Sequence, residues 1–193
     1  MVKKDIYKIL IAGEGGQGIQ SIAHILAKAA YECGHNVSYM PNYGVEQRGG
    51  VSLGFIQLGK GPIGFPKFAK ADLLVVMCER AIERTEQYIS QETLYLYDAD
   101  LISSIKLSGI RAEKLPIPAT STASKKLDPK VFNIILLGAI VNEIGIIKNK
   151  MVENALGENF ADKYVLKPQL RNLNLKALDM GQKLAQEVYK NGK

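Results

Sequence analysis

The chain has 193 residues, 47% of them hydrophobic and 23% charged, which excludes a disordered or collagen-like protein and suits one domain spanning residues 1–193. Its longest apolar run, Ile134 to Val141, falls well short of the roughly 18 residues a membrane span needs. The net charge of +6 comes mostly from scattered lysines, with no basic arm or aromatic-interleaved stripe. It reads as solvated surface charge, with neither nucleic acid nor membrane expected as a partner.

Two cysteines, Cys33 and Cys78, are too few for an iron–sulfur cluster, which takes about four thiolates. The two histidines, His24 and His35, have no metal-ligand spacing. No metal ligand is nominated, so any redox centre served by this chain belongs to another chain or to a diffusible cofactor. The opening residues Met1 to Lys8 lead into a strand-like run without an apolar signal core, and a cytoplasmic location is expected.

Ile6 to Ala12 is a β-branched apolar run of the kind buried on both faces of a parallel sheet. The loop Gly13-Glu14-Gly15-Gly16-Gln17-Gly18 follows, then Ile19, Ile22, Leu26 and Ala29 recur at helical spacing until Gly34. Asn36 to Met40 reads as the second strand, which makes a βαβ unit with a right-handed crossover. Pro41 to Gly50 reads as a loop. Val51 to Leu58 reads as a strand, turning at Gly59-Lys60-Gly61-Pro62 into another short extended segment. Leu73 to Cys78, Thr93 to Tyr97 and Ala112 to Ile117 supply further strands, with a helix over Glu79 to Gln91. Asp128-Pro129 opens a largely buried helix that Gly145 ends. Two more helices are expected, from about Lys150 to Asn159 and from near Lys167-Pro168 onward. The fold class is α/β: a mostly parallel, Rossmann-like sheet with flanking helices, a β-hairpin insertion and a helical C-terminal third.

Two stretches carry chemistry. Gly13 to Gly18 fits G-x-G-x-x-G between a strand and a helix, where glycines admit a close ligand and the helix N-terminus favours an anion. A nicotinamide or flavin domain wants an acidic residue about 20 positions on. The second strand ends Ser38-Tyr39-Met40-Pro41 without one, and Ile19-Gln20 stand where a P-loop needs Lys and Ser/Thr. The glycines could also serve only helix–strand packing. The second stretch, Asn42-Tyr43-Gly44-Val45-Glu46-Gln47-Arg48-Gly49-Gly50, should lie beside the first at the carboxyl ends of parallel strands, where α/β sheets place their crevices.

Together these stretches resemble the gamma subunit of 2-oxoacid:ferredoxin oxidoreductases, whose loops commonly read GxGGQG and Ser-Tyr-Gly-Pro-Glu ending in Arg-Gly-Gly. Asp72-Leu-Leu-Val75, Asn133 to Gly138, and Asn174 to Ala177 with Gly181 extend the likeness over nearly the whole chain. Asn42 and Val45 depart from the family's usual serine and proline; Glu46, Arg48 and the glycines do not.

The resemblance implies CoA-dependent oxidative decarboxylation of a 2-oxoacid, with electrons passed to ferredoxin. It implies alpha and beta subunits and a ferredoxin-like delta subunit or domain as partners. Thiamine diphosphate, Mg and the iron–sulfur clusters would sit on those other chains. Activity of the chain by itself is not expected. This chain is left with scaffolding and coenzyme A contact, for which Gly13, Gly15, Gly16, Gln17 and Gly18 are the candidates. Tyr43, Gly44, Glu46, Arg48, Gly49 and Gly50 are candidates for the neighbouring loop or interface. No catalytic residue is nominated: His24 and His35 read as surface, cap or packing groups and the cysteines as inert core. A chain of this size favours 2-oxoglutarate or a branched-chain 2-oxoacid. The competing readings are a stand-alone NAD- or FAD-dependent oxidoreductase and a ligand-free assembly subunit.

Overall fold

The computed structural model describes residues 4–43 and 50–191. Its sheet is formed by β1 (Ile6–Glu14), β2 (Asn36–Asn42), β3 (Val51–Gly59), β4 (Leu73–Val76), β5 (Leu94–Asp98) and β6 (Glu113–Ile117). The spatial order is β2-β3-β1-β4-β5-β6. β1, β4, β5 and β6 pair in parallel, while β3 pairs antiparallel with both β1 and β2.

Period-2 alternation divides each central strand between two cores. Ile9 and Ile11 of β1, Leu73 and Val75 of β4, and Leu96 of β5 face one side. Leu10 and Ala12, Leu74 and Val76, and Tyr95 and Tyr97 face the other. The first side is covered by a thick layer: α1 (Ile19–Glu32), α3 (Ala119–Lys126), α4 (Phe132–Ile144), α5 (Asn149–Asn159) and α7 (Gln169–Asn191) all contribute to its core. The second is covered thinly by Phe68 and Ala71 of the 60–72 segment, by Ala81 of α2 (Ala81–Thr85), and by Ile102, Leu107 and Ile110. A further short helix, α6 (Ala161–Leu166), precedes α7.

Four local expectations need correction. β1, α1 and β2 do not form a closed βαβ unit, because β3 lies between the two strands. The burial explains it: eight of the nine residues of β3 are buried, so it takes an interior position, whereas β2 is half-exposed and takes the edge. β2 also runs on through Pro41 to Asn42, an edge position where a missing N–H is tolerated. The hairpin partner of β3 is therefore β2, and the segment after Gly61 forms no strand. Pro62 and Pro66 remove donors from that segment. It lies instead on the thin side of the sheet, with Phe68 stacked edge-on against Phe55 and the Gln57 side chain donating to Phe65 O at 2.5 Å. Finally, the helix expected over Glu79 to Gln91 shrinks to α2 and one 3-10 turn, Glu86–Tyr88. Thr85 Oγ1 bonds back to Ala81 O and Ile82 O where the helix stops.

The remaining helices follow their signals. Asp128 accepts a hydrogen bond from Lys130 N at 2.8 Å, capping a 3-10 turn with Pro129 at its start that leads into α4, and Gly145 closes α4 at φ 67°. Helix α3 carried no recognisable start signal. Its first turn is held from outside, by Asp98 accepting from Thr120 Oγ1 at 2.6 Å and Asp100 accepting from Ser121 N at 2.7 Å.

Candidate functional site

The connection leaving β1 passes through α1 to the thick side of the sheet, and that leaving β4 passes through α2 to the thin side. Neighbouring parallel strands whose connections part in opposite directions leave a crevice beyond their carboxyl ends. The glycine loop 13–18 continues from the carboxyl end of one of these strands, β1, and Met77 to Arg80 from that of the other, β4.

Within the loop the glycines do different work. A Cβ on Gly13 would stand 2.5 Å from Gln17 Oε1 and 3.0 Å from Met77 Cβ, so this position is closed by packing. Gly18 has φ +80°, and a Cβ there would meet Asn133 Nδ2, the side chain that α4 presses onto the start of α1. Gly15 and Gly16 are open among the described residues: a Cβ on either meets none of them within 4 Å. Gly16 also takes φ +98°, a conformation that favours glycine.

Gln17 faces inward. Its Oε1 accepts from Glu14 N at 2.8 Å and its Nε2 donates to Met77 O at 3.1 Å. Behind it, the Gln20 side chain donates to Ser52 Oγ at 2.6 Å and to Leu53 O at 3.0 Å, and accepts from Tyr39 Oη at 2.7 Å, joining α1 to β3 and β2. Helix α1 starts with Gly18 as its cap residue, without a side-chain cap and without an acidic residue in its first turn. Such an N-terminus attracts negative charge.

The second stretch reaches the first at one described point, where Gly15 N donates to Gly50 O at 3.3 Å. Tyr43, at the end of β2, is exposed. The candidates Gly44, Glu46, Arg48 and Gly49, with Val45 and Gln47 among them, lie outside the described residues.

Two residues that the sequence did not single out stand at or past the carboxyl ends of β4 and β5. Arg80, at the start of α2, reaches Glu14, Nη1 to Oε1 3.5 Å, at the edge of the loop. Asp98, fully buried at the end of β5, accepts from Thr120 Oγ1 and from Asp100 N; burial nonetheless pushes its carboxyl above the ordinary 3.8. No local motif marks either residue, because Glu14 and Thr120, their distant partners, come to them only in the folded chain.

His24 is exposed on α1, and His35 lies half-buried with Nε2 3.4 Å from Ile146 O, remote from the loop. The Cys78 thiol is buried and its pKa raised by that burial, while Cys33 Sγ accepts from Lys148 N at 3.4 Å. No helix among the described residues is long and apolar enough to cross a membrane.

The family model for pyruvate ferredoxin/flavodoxin oxidoreductase matches residues 8–184. The 2-oxoglutarate synthase subunit KorC of Methanocaldococcus jannaschii is 32% identical over 184 residues, covering 94% of this chain and 95% of its own. The crystal structure of a keto/oxoacid ferredoxin oxidoreductase gamma subunit from Geobacter sulfurreducens superposes with a TM-score of 0.76 at 26% identity, over 94% of this chain and 99% of that one. The 2-oxoglutarate:ferredoxin oxidoreductase of Magnetococcus marinus, solved with 2-oxoglutarate, coenzyme A and succinyl-CoA bound, shares the fold at a TM-score of 0.84 and 24% identity. There the match covers 96% of this chain and 32% of the larger one. With nearly its whole length matched, the chain belongs to the pyruvate ferredoxin/flavodoxin oxidoreductase family, as a gamma subunit of the 2-oxoacid:ferredoxin oxidoreductases.

Proposed function

We propose that this gamma subunit supplies the coenzyme A-facing wall of its complex, and that the outward backbone of Gly15 and Gly16 is the contact. The observation that carries this reading is the openness of those two glycines, in a loop whose other glycines are closed by packing. The uncapped start of α1 directly behind them favours an anionic group, and coenzyme A brings phosphates. Arg80, now paired with Glu14, adds a cation at the loop's edge. Thiamine diphosphate, Mg and the iron–sulfur clusters belong to the partner alpha, beta and ferredoxin-like delta chains, with ferredoxin as the final acceptor, all in the cytoplasm.

The substrate proposed for the complex is 2-oxoglutarate, on the strength of the KorC relative matched over almost the full length of both chains. A branched-chain 2-oxoacid is the competing outcome of the same oxoacid-dependent assay. The residues of the Tyr43–Gly50 stretch are assigned to the loop facing this site or its neighbouring chain. The whole of residues 1–193 is read as one gamma-type domain.

Gly15→Asp tests the coenzyme contact, because its side chain meets none of the described residues and so leaves their packing intact. The reading requires the KM for coenzyme A of the assembled complex to rise by roughly tenfold or more, as when one charged contact of about 1.5 kcal/mol turns repulsive. An unchanged KM, with assembly intact, rejects it; lost assembly with an unchanged KM in the surviving complex favours a ligand-free assembly role.

A further inference from the structure

We infer that Gln17 is the positioning residue of this site: a strut across the crevice that fixes the Gly15–Gly16 backbone without touching the ligand. The inference rests on the reading of Gly15 and Gly16 as the coenzyme contact.

The backbone ladder between β1 and β4 ends at Ala12 and Val76, and Met77 N donating to Ala12 O at 2.9 Å is its last rung. Past that rung the two strands part, and the crevice opens. The Gln17 side chain bridges the strands just beyond it. Its Oε1 takes the Glu14 N–H on the β1 side and its Nε2 reaches Met77 O on the β4 side. The turn is closed from the other direction as well, because Gln17 N donates to Glu14 O at 3.1 Å. Residues 14–17 thus form a small ring anchored to the neighbouring strand, with Gly15 and Gly16 at its outer rim.

The residue type is dictated by the two partners. One is a donor and the other an acceptor, both main-chain, and a side-chain amide offers an acceptor and a donor together. Glutamate would set a carboxylate oxygen against Met77 O, and methionine of similar length would satisfy neither.

Gly13 completes the device. The place its Cβ would occupy lies 2.5 Å from Gln17 Oε1 and 3.0 Å from Met77 Cβ, so a side chain there displaces the amide from its notch. Gly13 and Gln17 are therefore a single unit, four residues apart in the chain and meeting over the last rung of the ladder.

The test uses the assembled complex with coenzyme A varied at saturating 2-oxoacid. Gln17→Met removes both hydrogen bonds without adding charge, and Gly13→Ala evicts the amide without altering it. Each should raise the KM for coenzyme A by roughly tenfold, the weight of two lost hydrogen bonds, with kcat and the 2-oxoacid KM within about twofold of the parent. The double variant should be no worse than either single one, since both break the same tie. Hydrogen exchange across residues 13–18 should accelerate alike in both variants while the rest of the chain is unchanged.

Additive effects, unaltered exchange, or a fall in kcat at constant KM each overturn the inference. If Gly15→Asp raises the coenzyme KM while Gln17→Met does not, the strut falls and the coenzyme reading survives. If Gly15→Asp also leaves it unchanged, the coenzyme reading itself has failed.

Discussion

Helices α4 and α7 cross at two glycines, and adding one methyl group at either should be felt by the whole chain. A Cβ on Gly181 would meet Ile135 O at 1.8 Å, Ile135 C at 2.8 Å and Ala139 N at 3.0 Å. A Cβ on Gly138 would meet Leu178 O at 2.1 Å and Gln182 N at 3.1 Å. These contacts are with backbone, so no rotamer change relieves them, and the helices must move apart by an ångström or so to restore a carbon–oxygen contact of roughly 3.3 Å. That movement loosens Ile135, Ala139, Ala177 and Leu178, all buried in the thick-side core. Overpacking of this kind costs about 1–3 kcal/mol and more where the backbone must shift. The helix gains about 1 kcal/mol from exchanging glycine for alanine. Gly181→Ala should therefore destabilise by about 2 kcal/mol, which for a chain of this length lowers Tm by roughly 4–8 °C.

Gly157→Ala is the internal control, because in α5 a Cβ at that position meets none of the described residues within 4 Å. It should stabilise by about 0.5–1 kcal/mol. The double variant Gly138→Ala/Gly181→Ala should lose less than the sum of its parts, since one opening of the crossing accommodates both methyl groups. Thermal unfolding of the purified chain reads all of these. Stabilisation of Gly181→Ala equal to that of Gly157→Ala would refute the close crossing.

Two further predictions concern the sheet. Burial holds the Asp98 carboxyl above 3.8 in the folded chain, so the folded state binds its proton more tightly than the unfolded one. The stability this confers is complete below pH 3.8 and is lost as pH rises through the raised folded value. Asp98→Asn removes that dependence, so its Tm relative to the parent should become more favourable as pH climbs from 3.8 through that window; a difference that grows the other way contradicts it. Ile11, fully buried in the centre of β1, should cost about 2–5 kcal/mol when replaced by alanine, measured as a shift in urea midpoint at constant m. A loss under about 1 kcal/mol would mean the sheet centre is not packed as described.

The sequence announced its local features well. Ile9 to Ala12 lacks polar interruptions because both faces of β1 are covered there, and Asp128-Pro129 and Gly145 mark a helix that begins and ends close to where they stand. The position of β3 was harder to read. Its apolar run gives burial but not direction, and only pairing with both β1 and β2 shows that it runs antiparallel between them. Helix α3 was hidden because its stabilising carboxylates, Asp98 and Asp100, come from the end of β5 and just beyond it, more than twenty residues away.

At the site, the glycine pattern located the loop but could not sort its members. Gly13, Gln17 and Gly18 face neighbours drawn from Met77 and Asn133, which lie distant in the chain, while Gly15 and Gly16 face outward. A motif records which residues are present, whereas the division between those that shape the loop and those that meet a ligand depends on what the strand next door supplies.

The most direct test of the account is to recover this chain natively from its own cells and weigh what accompanies it. The account predicts co-purification with thiamine-binding chains and a cluster-bearing chain, in a complex that reduces an acceptor dye only when a 2-oxoacid and coenzyme A are both present. Recovery of the chain alone at a stable size, with no 2-oxoacid-dependent activity in the fractions that contain it, would contradict the assignment of its work to a multi-subunit oxidoreductase.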